Sequence, residues 1–304
     1  MSGTTLQGAL LIDKPAGPTS HDVVAFVRRA LRVDRAGHTG TLDPLATGLL
    51  VVLVGTATRL AQFLAADEKQ YIADVRLGIA TPTYDAASLS AVGSPLSDIR
   101  YPTPAEIEAV LERFRGSFLQ TPPPFSAKKV ASVPAYEKAR KNQPVELKPV
   151  AVTVRELERL GTAESRTHTS DTGHGGLLRL RVAASAGFYV RSLAHNIGQA
   201  LGCGAHLEAL RRTGVGRFRV EDALTLDRVE SEGTARLTSA NDLLGHMPAT
   251  TLTEDSARRV FHGNPIRDPS SGADQVRLLD PAGALLAVAE RRPGGLLQPV
   301  VVLR

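Results

Sequence analysis

The first eighty residues show two hydrophobic patterns, one typical of strands and one typical of a helix. The apolar run 9–12 predicts a short strand, and the turn residues DKPAGPTS follow it. Apolar side chains one helical turn apart predict a helix from Ser20, its expected N-terminal cap, to about Leu31. The continuous apolar run Leu49–Val54 predicts a buried strand, and the alternation over 69–78 predicts a strand with one buried face.

Capping signals mark the helices farther along the chain. The sequence TPAE at 103–106 has the form of a capping box with proline in the first helical position, and it opens a predicted helix that reaches Phe114. A strand is predicted over Leu177–Ala184 and a helix over Val190–Leu201, which Gly202 would end. Strands and helices therefore interleave through connections of varied length, which favours a mixed α+β core over a doubly wound parallel sheet.

The pattern predicts two domains, 1–248 and 249–304. A boundary is expected near Pro248, after which Thr253 would cap a helix that ends at Gly263. Three strands are predicted beyond that helix, separated by the turn sequences PAG and PGG, and they are Gln275–Leu279, Ala284–Glu290 and Gln298–Leu303. The second domain would therefore be a small, mostly β module.

Positive charge is concentrated in two windows. The 304 residues have a formal net charge of +5 and a pI near 9.5, which alone is a weak indication of a polyanionic partner. Residues 121–148 and 185–219 each have a net charge of +4, so the remainder is net −3. This distribution suits a phosphate-binding surface, although two solvated faces would give the same counts. The proline-rich first window predicts a projecting loop or hairpin with a short helix at 136–140, and 161–176 predicts a mobile surface connection.

Several classes of chemistry lack their sequence signatures. The chain contains no GxxxxGK[ST], GxGxxG, HExxH or GxSxG motif, so nothing calls for a nucleotide cofactor, a metal or a serine nucleophile. The single cysteine, Cys203, excludes an internal disulfide and a multi-cysteine metal site. No apolar stretch has the length of a membrane span and the N-terminal residues lack a signal-peptide pattern, so we expect a cytoplasmic protein.

One carboxylate lies in a constrained loop. In GHTGTLDPLATG at 37–48, Asp43 follows two glycines and directly precedes Pro44. The glycines permit close approach of a ligand, and the proline favours an extended backbone at the residue before it. Such a carboxylate could act on a substrate or merely cap a turn. Tyr71 could stack on a base, and Arg191, near Tyr189 at a strand-to-helix junction, could lower the pKa of a carboxyl group. Spacing alone does not show that these residues converge.

Five blocks of the sequence together resemble the TruB family of tRNA pseudouridine-55 synthases over nearly the whole chain. In the family's order, they are LLIDKPAGPTSHDVV, GHTGTLDPLATGLLVV, KQYIADVRLG, PPFSAKKVASVPAYEKAR and GFYVRSLAHNIGQALGCGAHLEALRRT. The chain departs from the family pattern at Pro82, where an acidic residue is frequent, and at Ser132, where glycine is common. The segment 161–176 matches none of the family's sequence blocks.

The resemblance implies an α+β pseudouridine-synthase fold with a mixed sheet, a central RNA-binding cleft, a thumb insertion at about 121–150 and a PUA-like C-terminal module. It also implies isomerisation of uridine 55 in the tRNA T-loop through base flipping, without cofactor or metal, and we expect a monomer that binds the T-arm. By motif position, Asp43 would be the catalytic aspartate, Arg191 its partner, and Tyr71 a further catalytic residue that stacks on the uracil. The residues that would contact the RNA or the flipped base are His38, Tyr71, Tyr189, Leu210, Lys128 and Lys129.

Two other functions are compatible with such a fold. A binding protein or RNA chaperone with an inactive site would use the basic windows, but the presence of Asp43, Tyr71 and Arg191 argues against it. A small-molecule lyase or transferase would use the carboxylate, but the basic windows and the C-terminal module argue against that. The resemblance leaves open whether the carboxylate attacks C1′ of the sugar or adds to the base.

Overall fold

The computed structural model describes residues 6–91, 102–126, 129–130, 133–134, 147–160, 176–268 and 272–304. The predicted helix at 136–140, almost all of 161–176, Lys128 and the side chain of Lys129 lie outside this description. The chain divides into two compact units. The first contains 1–43, 50–66 and 222–304, and the second contains 44–49 and 67–221.

The strands and helices are numbered in chain order. The strands are β1 (Gly8–Lys14), β2 (Ala36–His38), β3 (Thr47–Val54), β4 (Lys69–Leu77), β5 (Gly116–Gln120), β6 (Lys129–Val130), β7 (Val133–Pro134), β8 (Val150–Arg159), β9 (Leu177–Ala184), β10 (Ala205–Val215), β11 (Phe218–Arg219), β12 (Ala249–Thr251), β13 (Ile266–Arg267), β14 (Gln275–Leu279), β15 (Leu285–Arg292) and β16 (Leu296–Val302). The helices are α1 (Ser20–Ala30), α2 (Ala61–Ala65), α3 (Pro104–Glu112), α4 (Val190–Leu201), α5 (Val229–Glu232), α6 (Ala240–Leu243) and α7 (Glu254–Phe261).

A hydrophobic core joins the N-terminal elements of the first unit. Strand β1 lies beside β3, and β3 also pairs antiparallel with β2. Helix α1 contributes its apolar face to the same core, as its predicted periodicity requires. The buried members of this core include Leu10, Ile12, Val23, Val27, Leu50 and Val52.

The structure corrects the predicted start of α1. Thr19, not Ser20, is the N-terminal cap: its hydroxyl accepts a hydrogen bond from the N–H of Asp22, and the Asp22 carboxylate accepts one from the N–H of Thr19. The pattern did not distinguish two adjacent hydroxyl residues that are both good caps. Ser20 is instead the first helical residue, and only 2% of its surface is exposed. The predicted end is confirmed, because Leu31 caps the helix.

The last part of the first unit forms a five-stranded sheet with one helix. Its strand order is β12–β14–β15–β16–β13, and α7 is capped by Thr253 as predicted. Strand β14 has the predicted ends, whereas β15 and β16 are shifted by one or two residues. Strands β12 and β13 were not predicted, because two or three residues are too few to show periodicity.

The second unit is built on a mixed sheet. The strand order is β3–β10–β4–β9–β8–β5, with residues 47–49 of β3 belonging to this unit. Strands β3 and β10 are parallel, and the other neighbours in this order are antiparallel. Strand β4 alternates between buried and partly buried residues along its whole length, as predicted. The predicted α+β fold class is therefore confirmed.

Helix α4 begins and ends as the sequence predicts, whereas α3 begins as predicted but ends at Glu112, two residues before Phe114. Thr103 and Glu106 form the predicted capping box at the start of α3, with proline in the first turn. Gly202 ends α4 in the left-handed conformation, with φ of 72°, which glycine adopts without steric cost. Strands β5, β8 and β10 were not predicted.

Candidate active site

The loop that carries Asp43 is held to the start of α1 by one side chain. The Ser20 hydroxyl donates a hydrogen bond to the carbonyl oxygen of Leu42 at 2.9 Å and accepts one from the N–H of Leu42 at 2.8 Å. Both bonds are buried, so a single hydroxyl satisfies both backbone polar groups of the residue before Asp43. Leu42 is 3% exposed and Asp43 is partly buried. The backbone at Asp43 is therefore fixed from the side of α1.

His38 lies upstream of the same loop. It is the last residue of β2, where it pairs with Val52 of β3 and is partly buried. The N–H of Thr39 donates to the carbonyl oxygen of Val51 at 3.3 Å, which extends the pairing one residue toward the loop. His38 and Asp43 therefore lie on one continuous segment of the first unit. The predicted contact of His38 with RNA stays a prediction.

Strands β4 and β10 bring two of the predicted substrate-binding residues together. Tyr71 pairs with Arg212 across the two strands, and Leu210 pairs with Ala73, so all four side chains are on the same face of the sheet. Tyr71 and Leu210 are each 9% exposed. We call the surface formed by Lys69, Tyr71, Leu210 and Arg212 the β4/β10 face. Its buried tyrosine and leucine could line a pocket for a planar ring.

Two buried cations belong to the β4/β10 face. Burial lowers the pKa of the Arg212 guanidinium, and a hydrogen bond with the Tyr71 side chain opposes that effect. The Nε of Arg212 donates a hydrogen bond to the carbonyl oxygen of Leu49 at 2.7 Å. Burial and the charge of Arg212 lower the pKa of Lys69 to about 8, and its Nζ donates to the carbonyl oxygen of Asp67 at 2.5 Å. Tyr71 is therefore oriented by a guanidinium whose own position is fixed by the backbone.

Arg191 is anchored at three points at the start of α4. Its guanidinium donates to the carbonyl oxygen of Thr83 at 3.2 Å and to that of Phe125 at 3.0 Å. It also forms an ion pair with Asp85, with 3.5 Å between Nη1 and Oδ2, and both side chains are more than 90% buried. Removal of one partner from such a buried pair is strongly destabilising, because it leaves an uncompensated charge. The predicted pairing of Arg191 with Asp43 joins residues of different units and stays a prediction.

Asp85 is the functional candidate that sequence reasoning missed. Its Oδ1 accepts hydrogen bonds from the Thr83 hydroxyl at 2.6 Å and from the N–H of Ala87 at 3.0 Å. Tyr84, beside it, has a φ of 64° and stacks on His195 of α4, with 3.8 Å between the ring centroids. The available signal was the sequence TPTYDAAS, in which an aspartate follows several turn-forming residues. That sequence does not indicate which arginine the aspartate contacts.

Tyr189 is the N-terminal cap residue of α4, so the predicted strand-to-helix junction is confirmed. The side chain of Gln120, at the end of β5, accepts from the N–H of Tyr189 at 2.8 Å and donates to its carbonyl oxygen at 3.1 Å. Gln120 is 1% exposed. The junction that carries Tyr189 and Arg191 is therefore tied to β5 by a buried amide.

Within the described ranges, no group of three or more His, Cys, Asp or Glu side chains could hold a metal ion. In the same part of the chain, no helix is both long enough and apolar enough to cross a membrane.

Three family models match consecutive parts of the chain. Residues 28–190 match the N-terminal domain of the TruB family pseudouridylate synthases. Residues 191–247 match the model described as the tRNA pseudouridylate synthase B C-terminal domain, and residues 248–303 match the model described as pseudouridine synthase II TruB, C-terminal.

Curated proteins and solved structures resemble the chain over nearly its full length. A tRNA pseudouridine synthase B of Solibacter usitatus is 42% identical, with 98% of this chain and 100% of that protein covered. One of Thermobifida fusca is 45% identical, with 97% and 98% covered. A chain in a crystal structure of a Cbf5–Nop10–Gar1 complex has a TM-score of 0.68 at 26% identity, covering 98% of this chain and 85% of that one. A chain of an archaeal box H/ACA sRNP Nop10–Cbf5 complex has a TM-score of 0.67 at 26% identity, with 98% and 86% covered.

Proposed function

We propose that this chain, which belongs to the TruB family of pseudouridylate synthases, isomerises uridine 55 in the T-loop of tRNA to pseudouridine. The observation that carries the proposal is identity of 42% and 45% to two tRNA pseudouridine synthases over at least 97% of the chain. The local structure around Asp43 supports it, because a carboxylate on a backbone held by Ser20 can be presented to a substrate in a fixed position.

The reaction is balanced within the substrate. The N1–C1′ bond breaks, the uracil turns, C5 bonds to C1′, and the proton leaves C5 while N1 gains one, so no redox partner or water is consumed. Asp43 supplies the carboxylate, which either assists departure of the uracil from C1′ or adds to the base. The choice between these two routes stays open. A carboxylate that has acted in this way can also help to remove the C5 proton.

The other site residues hold the nucleotide. The target base must leave its stack, at a cost of a few kcal/mol, and an aromatic surface offsets part of that cost. Tyr71 stacks on the uracil and Leu210 and Tyr189 line its pocket, while His38 contacts the RNA where the T-loop is opened. Arg191 orients Asp43. The burial of Tyr71 and Leu210 on one face of the sheet supports this assignment.

The remaining contacts concern the body of the tRNA. The thumb insertion at about 121–150, with Lys128 and Lys129, binds the phosphate backbone of the T-arm. The PUA-like module at 249–304 adds RNA contacts from its own domain. The chain acts as a monomer in the cytoplasm. It uses no cofactor or metal, because the isomerisation requires none.

The proposal is tested with an unmodified tRNA transcript and the purified full chain, without added metal or nucleotide. We expect pseudouridine to form at position 55 and nowhere else in the transcript, as mapped by position-specific chemical detection. A transcript with cytidine at position 55 is the control and should give no product. A chain that binds the transcript but forms no pseudouridine, or forms it only at other positions, would contradict the proposal.

Ser20→Ala is expected to lower turnover about tenfold, while tRNA affinity stays nearly unchanged. The change removes a partner from two buried backbone groups of Leu42, a loss of roughly 1–3 kcal/mol, and it loosens the backbone that carries Asp43. Single-turnover rates, dissociation constants and thermal unfolding would be measured for Ser20→Ala and Ser20→Thr. Threonine keeps the hydroxyl and should retain more of the rate than alanine; a wild-type rate in Ser20→Ala would show that the hydroxyl does not position Asp43.

A further inference from the structure

Four exposed arginines lie within eight residues at the end of α1. They are Arg28, Arg29, Arg32 and Arg35, which we call the α1 arginine patch, and with Asp34 they give this eight-residue stretch a net charge of +3. The backbone beneath them is held by the core of the first unit, because Leu31 is buried in it and Val33 packs against it. The N–H of Val33 also donates to the carbonyl oxygen of Arg28 at 3.1 Å. The patch is therefore presented on an ordered backbone.

The patch combines close spacing in the sequence with a lack of carboxylate partners. Ten other arginines that the structure describes form ion pairs with Asp or Glu: Arg76, Arg115, Arg155, Arg179, Arg181, Arg191, Arg228, Arg258, Arg291 and Arg292. Among the residues that the structure describes, no carboxylate comes within ion-pairing distance of the four patch arginines. The guanidinium of Arg29 lies 5.7 Å from the centre of the Phe26 ring, which orients it.

The helix dipole accounts for the positive charge of only two of the four patch arginines. Arg28 and Arg29 are in the last turn of α1, where positive charge interacts favourably with the helix dipole. Arg32 and Arg35 lie beyond the helix, and Arg32 has a left-handed backbone with φ of 52°. Four like charges on an ordered backbone repel one another, so their arrangement favours a polyanion as the partner. Arginine suits phosphate in particular, because its planar group binds two oxygens at once.

We propose that the α1 arginine patch binds phosphates of the tRNA backbone and forms a contact surface separate from the windows 121–148 and 185–219. This inference rests on the proposed function, which makes tRNA the substrate. Its location supports it, because Arg35 directly precedes β2, the strand that leads through His38 to the Asp43 loop in the same unit. The patch thus anchors the RNA backbone on the segment that presents the carboxylate.

The test compares two variants of the full chain that lose the same charge. The patch variant carries Arg28→Gln, Arg29→Gln, Arg32→Gln and Arg35→Gln. The control variant carries Arg155→Gln, Arg179→Gln, Arg181→Gln and Arg228→Gln, which have carboxylate partners and lie outside the C-terminal module. The dissociation constant for an unmodified tRNA transcript is measured over a range of salt concentrations. If each patch arginine neutralises one phosphate, the slope of log K against log salt flattens by about 3 in the patch variant and far less in the control.

Three results would overturn the inference: a patch variant with the wild-type slope, equal flattening in both variants, or flattening in the control alone. Thermal unfolding verifies that both variants fold; if the patch variant does not, the single changes Arg32→Gln and Arg35→Gln are measured instead, each with an expected flattening of roughly 0.7–0.9. Failure of the proposed function is distinguishable, because in that case the wild-type chain itself forms no pseudouridine in the same transcript.

Discussion

The Asp43→Asn variant is expected to form no detectable pseudouridine and to bind tRNA within a few-fold of wild type. The change keeps the size and shape of the side chain but removes the negative oxygen that acts at the sugar–base junction. The two hydrogen bonds from Ser20 reach the backbone of Leu42, so they survive the change and the loop should keep its conformation. Loss of a negative charge next to phosphates could even tighten binding slightly.

Binding and product formation must be measured on the same preparation. A filter-binding or fluorescence titration gives the affinity, and chemical mapping of position 55 after a long incubation gives the product. A protein that only binds RNA would show no product in wild type either, so the wild-type reaction is the necessary control. A variant that still converted uridine at a comparable rate would return Asp43 to the role of a turn-capping aspartate.

The Arg191→Lys variant is expected to lose turnover by roughly 100-fold, which corresponds to about 3 kcal/mol of transition-state stabilisation, with a much smaller change in tRNA affinity. Arg191 reaches two carbonyl oxygens and the Asp85 carboxylate at once through its forked guanidinium. A lysine keeps the charge but offers a single nitrogen, so it cannot hold all three contacts. The position of this buried cation would then no longer be fixed.

A matched control separates this effect from simple destabilisation. Arg179 makes a two-pronged pair with Asp74 on neighbouring strands of the same sheet, at 2.6 and 2.8 Å, and it has no assigned role in the site. Arg179→Lys should therefore leave the rate close to wild type. Asp85→Asn should lower turnover in the same direction as Arg191→Lys. Wild-type turnover in Arg191→Lys, or an equal loss in Arg179→Lys, would show that the forked contacts of Arg191 have no specific part in catalysis.

Local signals account for the parts of the fold that the sequence predicted. The capping box at Thr103 and Glu106, the glycine after α4 and the alternation of β4 each act within a few residues, so one sequence suffices to read them. Strand β10 shows no clear alternation, because its register with β4 shifts at two points and breaks the period of two. The cap of α1 was wrong by one residue because Thr19 and Ser20 have the same chemistry.

The same distinction between local signals and distant contacts applies to the candidate site. Motif position identified Asp43, Tyr71 and Arg191 as residue types with suitable chemistry. The support around them depends on tertiary contacts between distant segments, such as Ser20 with Leu42 or Asp85 with Arg191. Nothing in the local pattern at Ser20 or Asp85 specifies a partner that is 22 or 106 positions away. Residues that hold the site are therefore harder to predict than residues that perform its chemistry.

During its synthesis, the chain cannot form the β4/β10 face until nearly all of the second unit has left the ribosome. Tyr71 and Arg212 are register partners separated by 141 positions. At about 5–20 residues per second, a ribosome needs roughly 7–28 s to add the residues between them. Throughout that interval the edge of β4 that pairs with β10 has no partner strand, and unpaired strand edges make a nascent chain prone to aggregation. Fragments that end before β10 contain Asp43 and Tyr71 but no β4/β10 face.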